Sequence, residues 1–359
     1  MKIAMFGHKT VPSRSGGIEV VVWELATRMA ALGHEVICYN RGGAPGKLEG
    51  VEVKPVPAWG GKGLSAVSAG FFAALVASFS RAEVVHIHAE GPAFFCWIPK
   101  LFGKRVVVTV HGLDWQREKW RGSFGKYYIR AGEKMAVGFA DRIIVLSRNL
   151  CRYFQDTYGR ETVYIPNGIT RPEPAEPELI RALGLEKDGY LLFLGRLVPE
   201  KEIHTLITAF RGLDTRKKLV IAGVSSDTDS YVRKLKALAA GDDRIFFTGF
   251  VEGRLLAELY SNAFLYILPS QVEGMPISLL EAMSYGNCCL VSDIPELTEV
   301  VGNHGVTVPC GDSLALRQRL EQLLNDPAAV AGYKAAAAET VLNKYNWDDV
   351  VRRTLEVYR

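Results

Sequence analysis

The chain has 359 residues, 48% of them hydrophobic and 23% charged, with a formal net charge of +4. That length and composition exclude a disordered chain and suggest about two domains, each large enough for its own core. Six cysteines without a C-x-x-C pair exclude a disulfide scaffold, argue against a zinc or thioredoxin-like site, and fit a reducing cytoplasm.

The first seven residues, MKIAMFG, read as a strand rather than a signal peptide. The longest mostly apolar stretch, residues 69–79, is far short of the roughly 20 residues that span a bilayer. Strands are predicted over 3–7, 35–39, 84–88, 105–110 and 142–146, with helices between most of them, as over 19–32 and 126–139. Apolar strands alternating with helices imply a parallel sheet covered on both faces. A Pro/Glu-rich break, Glu173-Pro174-Ala175-Glu176-Pro177, then interrupts the pattern. It restarts with strands over 190–195, 218–223, 244–248, 264–268 and 288–291. The expected fold is α/β: two doubly wound domains, 1–168 and 169–342, facing a cleft. A last amphipathic stretch, 343–359, is expected to return to the first domain.

Charge is uneven. Residues 1–170 hold 22 basic and 13 acidic residues, whereas 171–359 hold 21 and 26. The excess concentrates in 100–152, which suggests an anionic partner. Phe94, Phe95, Trp97, Lys100, Phe102, Lys104, Arg105, Trp115, Arg117, Lys119, Trp120, Arg121, Lys126, Tyr127, Tyr128 and Arg130 interleave aromatics with cations. Such a surface suits an anionic leaflet; no nucleic-acid-binding motif surrounds it, so nucleic acid is not expected.

Four motifs sit at strand ends, where doubly wound sheets bind ligands. Gly195-Arg196-Leu197-Val198-Pro199-Glu200-Lys201 brings two cations to one loop, as a diphosphate requires. Pro269–Met283 carries Glu273 in a loop and Glu281 on the following helix. Gly274 permits close backbone approach, and Met275, Pro276 and the helix start offer amides to an anion. Val110-His111-Gly112 aims a histidine from a strand end, and Gly16-Gly17 opens a helix with bare amides. No G-x-G-x-x-G is present, which removes the dinucleotide fingerprint. His86 and His88 share a strand face without a third ligand at metal spacing and are read as core or cleft-lining. Asp227-Thr228-Asp229 is read as helix capping through Asp229 or Ser230.

Together these motifs resemble glycosyltransferase family 4, retaining enzymes of the GT-B fold with two Rossmann-like domains around a central cleft. Residues 16–19 and 111–120 resemble a bacterial subgroup of surface-polysaccharide glycosyltransferases that includes rhamnosyltransferases. The resemblance implies a hexose or deoxyhexose moved from a nucleotide diphosphate sugar to a glycan acceptor, lipid-linked, without metal or cofactor, at the inner face of the cell membrane. It implies that Arg196 and Lys201 neutralise the diphosphate and that Glu281 holds the ribose. Glu273 and the amides of Gly274, Met275 and Pro276 would contact the transferred sugar, with His111 reaching it from the other domain. Gly16 and Gly17 would approach donor or acceptor, Phe250 and Val251 would lie at the base, and Asn167-Gly168 would mark the crossing between domains. Two other readings fit the same architecture: a sugar-nucleotide epimerase, and a non-catalytic binder of nucleotide sugar or glycan.

Overall fold

The computed structural model describes residues 1–120 and 123–359. Arg121, counted above among the cations, lies outside the described residues. The chain forms two compact units, Met1–Gly168 with Trp347–Arg359, and Ile169–Asn346.

The first unit is built on eight strands: β1 (Lys2–Phe6), β2 (Glu35–Arg41), β3 (Gly46–Leu48), β4 (Val51–Val56), β5 (Val84–His88), β6 (Arg105–Val110), β7 (Arg142–Val145) and β8 (Val163–Tyr164). Their order is β3-β4-β2-β1-β5-β6-β7-β8, all parallel except for the antiparallel β3–β4 pair. Strands such as Arg105–Val110 are almost wholly buried, which is why they are apolar on both faces. The β3–β4 hairpin was not foreseen. Its strands alternate with polar residues, and Glu49 and Gly50 make the turn in left-handed backbone. The helix Trp347–Val357 packs on the helix Gly17–Ala31, with Arg28 Nη1 3.0 Å from Asp348 Oδ1. A Cβ on Gly168 would lie 2.4 Å from the Trp347 ring, so glycine is needed there.

The second unit has six parallel strands: β9 (Tyr190–Leu194), β10 (Lys218–Ala222), β11 (Ile245–Gly249), β12 (Leu265–Leu268), β13 (Cys289–Ser292) and β14 (Val306–Val308). They run β11-β10-β9-β12-β13-β14. The chain leaves β9 in one direction across β10 and β11, then returns to β12 on the other side, so the order reverses between β9 and β12. The helix Pro327–Lys344 continues past the expected boundary at 342, and the unit closes at Asn346. The three-residue β14 was too short to show as an apolar run.

Capping at Asp229 or Ser230 is corrected. The helix begins at Asp229, and its flanking residue is Thr228, which makes no side-chain cap. The Thr228 hydroxyl instead donates to the Leu197 carbonyl at 2.6 Å, tying this turn to the loop after β9.

Candidate active site

In the second unit, two of the motifs leave neighbouring strands at the point where strand order reverses. Gly195 to Lys201 follow β9, and Pro269 to Glu281 follow β12. Backbone contacts fix the first loop: Gly195 N–H donates to Ala222 O (3.0 Å) and Leu197 N–H to Val224 O (2.9 Å). A Cβ on Gly223, whose φ is +143°, would stand 1.8 Å from Gly195 O, so only glycine allows this approach.

The two loops meet through an ion pair. Lys201, at the end of a short 3-10 turn (Pro199–Lys201), donates its Nζ to Glu273 Oε1. Their side chains are only 10% and 9% exposed, so each charge depends on the other. Arg196 lies half-buried on the same loop as Lys201. Gln271 adds a second bridge: its N–H donates to Glu200 O (2.9 Å) and its Nε2 to Glu202 Oε1 (2.5 Å). Glu202 also accepts from the Thr205 hydroxyl while holding a left-handed φ of 53°.

The helix Ile277–Ser284 follows Pro276, with no side chain capping its start, and Met275 and Pro276 are buried beside it. Tyr260 fixes Glu281: its hydroxyl lies 3.1 Å from Glu281 Oε2 and 3.2 Å from Ser278 O, and its ring stacks on Tyr285 at 5.3 Å. Tyr266, fully buried in β12, is 3.0 Å from Ser278 Oγ and 3.3 Å from Leu194 O. Val251 is buried just beyond Gly249, while Phe250 stays exposed.

The remaining candidates belong to the first unit. His111 follows β6, and its Nε2 is 3.0 Å from His88 Nδ1. Behind them, His86 bonds Tyr358 (2.6 Å) and Thr109 (2.7 Å). Burial pushes His111 down to about 4 and His86 to about 3, so both are neutral near pH 7. Gly16 and Gly17 open the helix whose Glu19 acts electrostatically on His111, which places these motifs at the same end of the sheet.

Tyr260, Tyr266, Gln271 and Glu202 escaped sequence reasoning. They act by holding motif residues, and residues of those types at strand and helix positions carry no spacing signature of their own. The aromatic–cation run divides: Phe102 and Tyr127 are exposed, whereas others of its aromatics turn inward. Phe95 is buried, and Phe94, Trp97, Trp115 and Tyr128 pack against the first unit's core. Lys104 donates to Ser80 O and Ala82 O, Arg105 to Val357 O, and Lys100 pairs with Asp141. Among the described residues no helix is long and apolar enough to cross a membrane.

Residues 15–171 match the model described as Glycosyltransferase Family 4, and residues 176–340 that described as Glycosyl transferases group 1. An alpha-maltose-1-phosphate synthase of Mycolicibacterium smegmatis is 27% identical, the match covering 100% of this chain and 99% of that protein. The solved structure of sucrose-phosphate synthase from Thermosynechococcus elongatus has a TM-score of 0.84 at 20% identity and covers 100% of this chain and 98% of that one. Anabaena HepE in complex with UDP-glucose gives 0.82 at 17%, covering 99% and 98%. The structural likenesses establish the shared fold, the two family models together cover the chain from 15 to 340 apart from residues 172–175, and the protein therefore belongs to the family 4 glycosyltransferases, transferases of the GT-B fold with two Rossmann-like domains.

Proposed function

We propose that this transferase moves a hexose or deoxyhexose from a nucleotide diphosphate sugar to a glycan acceptor, lipid-linked, in polysaccharide or exopolysaccharide assembly, with retention and without a metal ion. The observation that carries the reading is the Lys201–Glu273 pair, nearly buried between two loops where the strand order of the second sheet reverses. An ammonium already desolvated and aimed needs little reorganisation when a diphosphate arrives. As the glycosidic bond breaks, charge grows on the leaving phosphate. Lys201, Arg196 and the amides before Ile277 oppose that charge. The departing phosphate takes the proton of the acceptor hydroxyl on the same face, and configuration is kept. Glu281, held by Tyr260, accepts from the ribose hydroxyls, and Glu273 faces the sugar. His111, neutral, contributes a hydrogen bond rather than a charge. The UDP-glucose complex of HepE supports a donor of this class.

We also propose that the membrane contact centres on the helix Lys62–Phe79 and the adjoining Leu101 and Phe102 rather than on the whole 94–130 segment. The helix Lys62–Phe79 has Leu64, Phe71, Val76 and Phe79 exposed, and Leu101 and Phe102 are exposed beside Phe79. Co-sedimentation with anionic vesicles, lost on Phe79→Glu, checks this; equal sedimentation of both proteins rejects it.

A panel of nucleotide sugars tests the catalytic reading. At 100-fold excess over its dissociation constant the true donor stabilises the protein by about 2.7 kcal/mol. Turnover that requires an added acceptor establishes transfer. Turnover without one indicates epimerisation, and stabilisation without turnover indicates a binder.

A further inference from the structure

In the first unit, β5 ends at His88, and the turn that leaves it is strained. Ala89 adopts a φ of 77° and a ψ of 156°, a region of backbone space that belongs to glycine. Its neighbours press on it from both sides. A Cβ on Gly7, just past β1, would stand 2.0 Å from the His88 carbonyl oxygen. A Cβ on Gly132, in the helix Phe124–Phe139, would stand 2.0 Å from the carbonyl oxygen of Glu90. Two glycines and one strained alanine thus hold residues 88–90 in place, and strain of this kind gathers where side chains must be aimed.

Both residues flanking Ala89 grip the loop after β6. Glu90 Oε2 accepts from the Asp114 N–H at 2.7 Å, and His88 Nδ1 lies 3.0 Å from His111 Nε2. The His88 and His111 rings are 5.3 Å apart between centroids, and His86 backs His88 at 4.1 Å. Among the described residues, the His111 ring makes no other hydrogen bond. The direction of this bond follows from the far side of His88. His88 is fully buried, and its Nε2 has no partner among the described residues. Burial holds the ring well below its ordinary pKa, so near pH 7 it carries a single proton. On Nε2 that proton would be a buried donor with nothing to receive it, and orphaned donors are rarer than bare acceptors. On Nδ1 it is used. His111, also neutral, then receives at Nε2 and carries its own proton on Nδ1.

We propose that His88 is a positioning residue that fixes His111 in the form protonated at Nδ1, so that the ring meets the transferred sugar as a donor to a hydroxyl oxygen and not as an acceptor. The inference rests on the transferase reading only for the identity of what His111 meets. The tautomer itself is a property of the free protein.

The test uses the full chain with isotope-labelled histidine. Spectra that correlate the ring carbon-bound protons with both ring nitrogens show which nitrogen bears the proton, and His111→Ala identifies the His111 signals. Wild-type His111 is expected to be protonated at Nδ1. His88→Leu is expected to leave His111 as a mixture of both forms and to slow UDP release from UDP-glucose about tenfold. His88→Asn, whose amide can donate from the place of Nδ1, is expected to restore the single form and most of the rate. A wild-type His111 protonated at Nε2 overturns the proposal, as does a His88→Leu protein whose His111 stays protonated at Nδ1 alone. Should His88→Leu not fold, the wild-type and His88→Asn spectra decide. If His111 is protonated at Nδ1 but the wild type turns over no nucleotide sugar, the positioning role stands and the transferase chemistry falls. Turnover with His111 protonated at Nε2 removes the positioning role and leaves the transferase chemistry standing.

Discussion

The two units place titratable groups at the carboxyl ends of similar sheets and treat them oppositely. In the second, unlike charges are brought together: Lys201 meets Glu273, and Glu202 gathers donors from Thr205 and Gln271. Each of these buried groups has a hydrogen-bonding or charged partner. In the first, like is packed with like. His86, His88 and His111 stack in a row, with ring centroids 4.1 and 5.3 Å apart. Glu90 and Glu133 are both buried, near Asp114. Burial and like-charge repulsion lower the pKa of His86 and His88 and raise that of Glu90 well above the usual carboxylate range. One end pairs opposite charges; the other packs titratable groups of like kind together.

The largest expected effect breaks the ionised side. Lys201→Ala should lower turnover by about 10²–10³-fold, equivalent to roughly 3–4 kcal/mol of barrier, while circular dichroism stays that of the wild type. Near-normal transfer rates would remove the diphosphate role. The next effect falls on the neutral side. Glu133 accepts from Tyr153 (2.9 Å), from Tyr158 and from Trp115 Nε1 (3.3 Å), and the loop carrying Trp115 is also held by Asp114 N–H donating to Glu90 Oε2 at 2.7 Å. Glu133→Ala leaves three donors without their acceptor and should cost about 3 kcal/mol, read as a lower urea midpoint. Glu133→Gln, which keeps an acceptor, should recover part of it. Equal losses in the two variants would mean that packing, not hydrogen bonding, sets the cost.

Much of this was legible beforehand, for reasons visible residue by residue. Runs such as Arg105–Val110 and Tyr190–Leu194 announce strands because a parallel sheet buried on both faces requires continuous apolar sequence. Glycine and proline around Glu273 announce a close approach and a helix start. The hairpin at Gly46–Val56 was hidden because a strand at the sheet edge alternates with polar residues. The aromatic–cation run was legible only in part because linear interleaving does not say which way side chains turn: Phe95 goes to the core while Tyr127 is exposed, and Phe79, outside the run, is exposed too. Tyr260 and Gln271 were invisible because they act through contacts 21 and 69 residues away in sequence.

Acid should separate the units. The histidines' folded pKa values lie below their ordinary 6.5, so the folded state binds fewer protons than the unfolded one between those values. Stability is therefore full above pH 6.5 and falls as pH drops through that window. At pH 5 His86, at about 3, and His111, at about 4, each contribute a loss of about 2 kcal/mol, and His88 adds to it in the same direction. Glu90, whose folded pKa is raised, works the other way: it destabilises as pH rises above the ordinary carboxylate value, so acid relieves it and offsets part of the loss. The histidine losses outweigh the single Glu90 offset, so the change should be a net loss confined to the first unit, seen as a lower-temperature transition appearing by calorimetry at pH 5. Glu90→Gln removes the offset, so its acid loss should be steeper than that of the wild type. A shallower one would show that Glu90 is ionised in the folded state.

The smallest effect tests whether the ionised side is held by partners or by backbone. Glu202 occupies left-handed backbone that glycine would adopt without strain, and relief of that strain is worth about 1 kcal/mol. Against this, Glu202→Gly adds roughly 0.5–1 kcal/mol of unfolded-chain entropy. It also removes the acceptor of the buried Thr205 hydroxyl and of Gln271 Nε2, about 1 kcal/mol more. The balance predicts a net loss of about 1 kcal/mol and a Tm lower by about 2–4 °C. A raised Tm would mean that strain dominates. The same variant cuts one of the two ties from Gln271 to the loop after β9, leaving only its N–H on Glu200 O. Donor KM should therefore rise several-fold with little change in kcat, because the Glu273 loop is loosened while Lys201 and Arg196 remain. A stability loss with donor KM unchanged would place Glu202 in the scaffold alone, and would leave the Lys201–Glu273 pair as the bond that aligns the two loops.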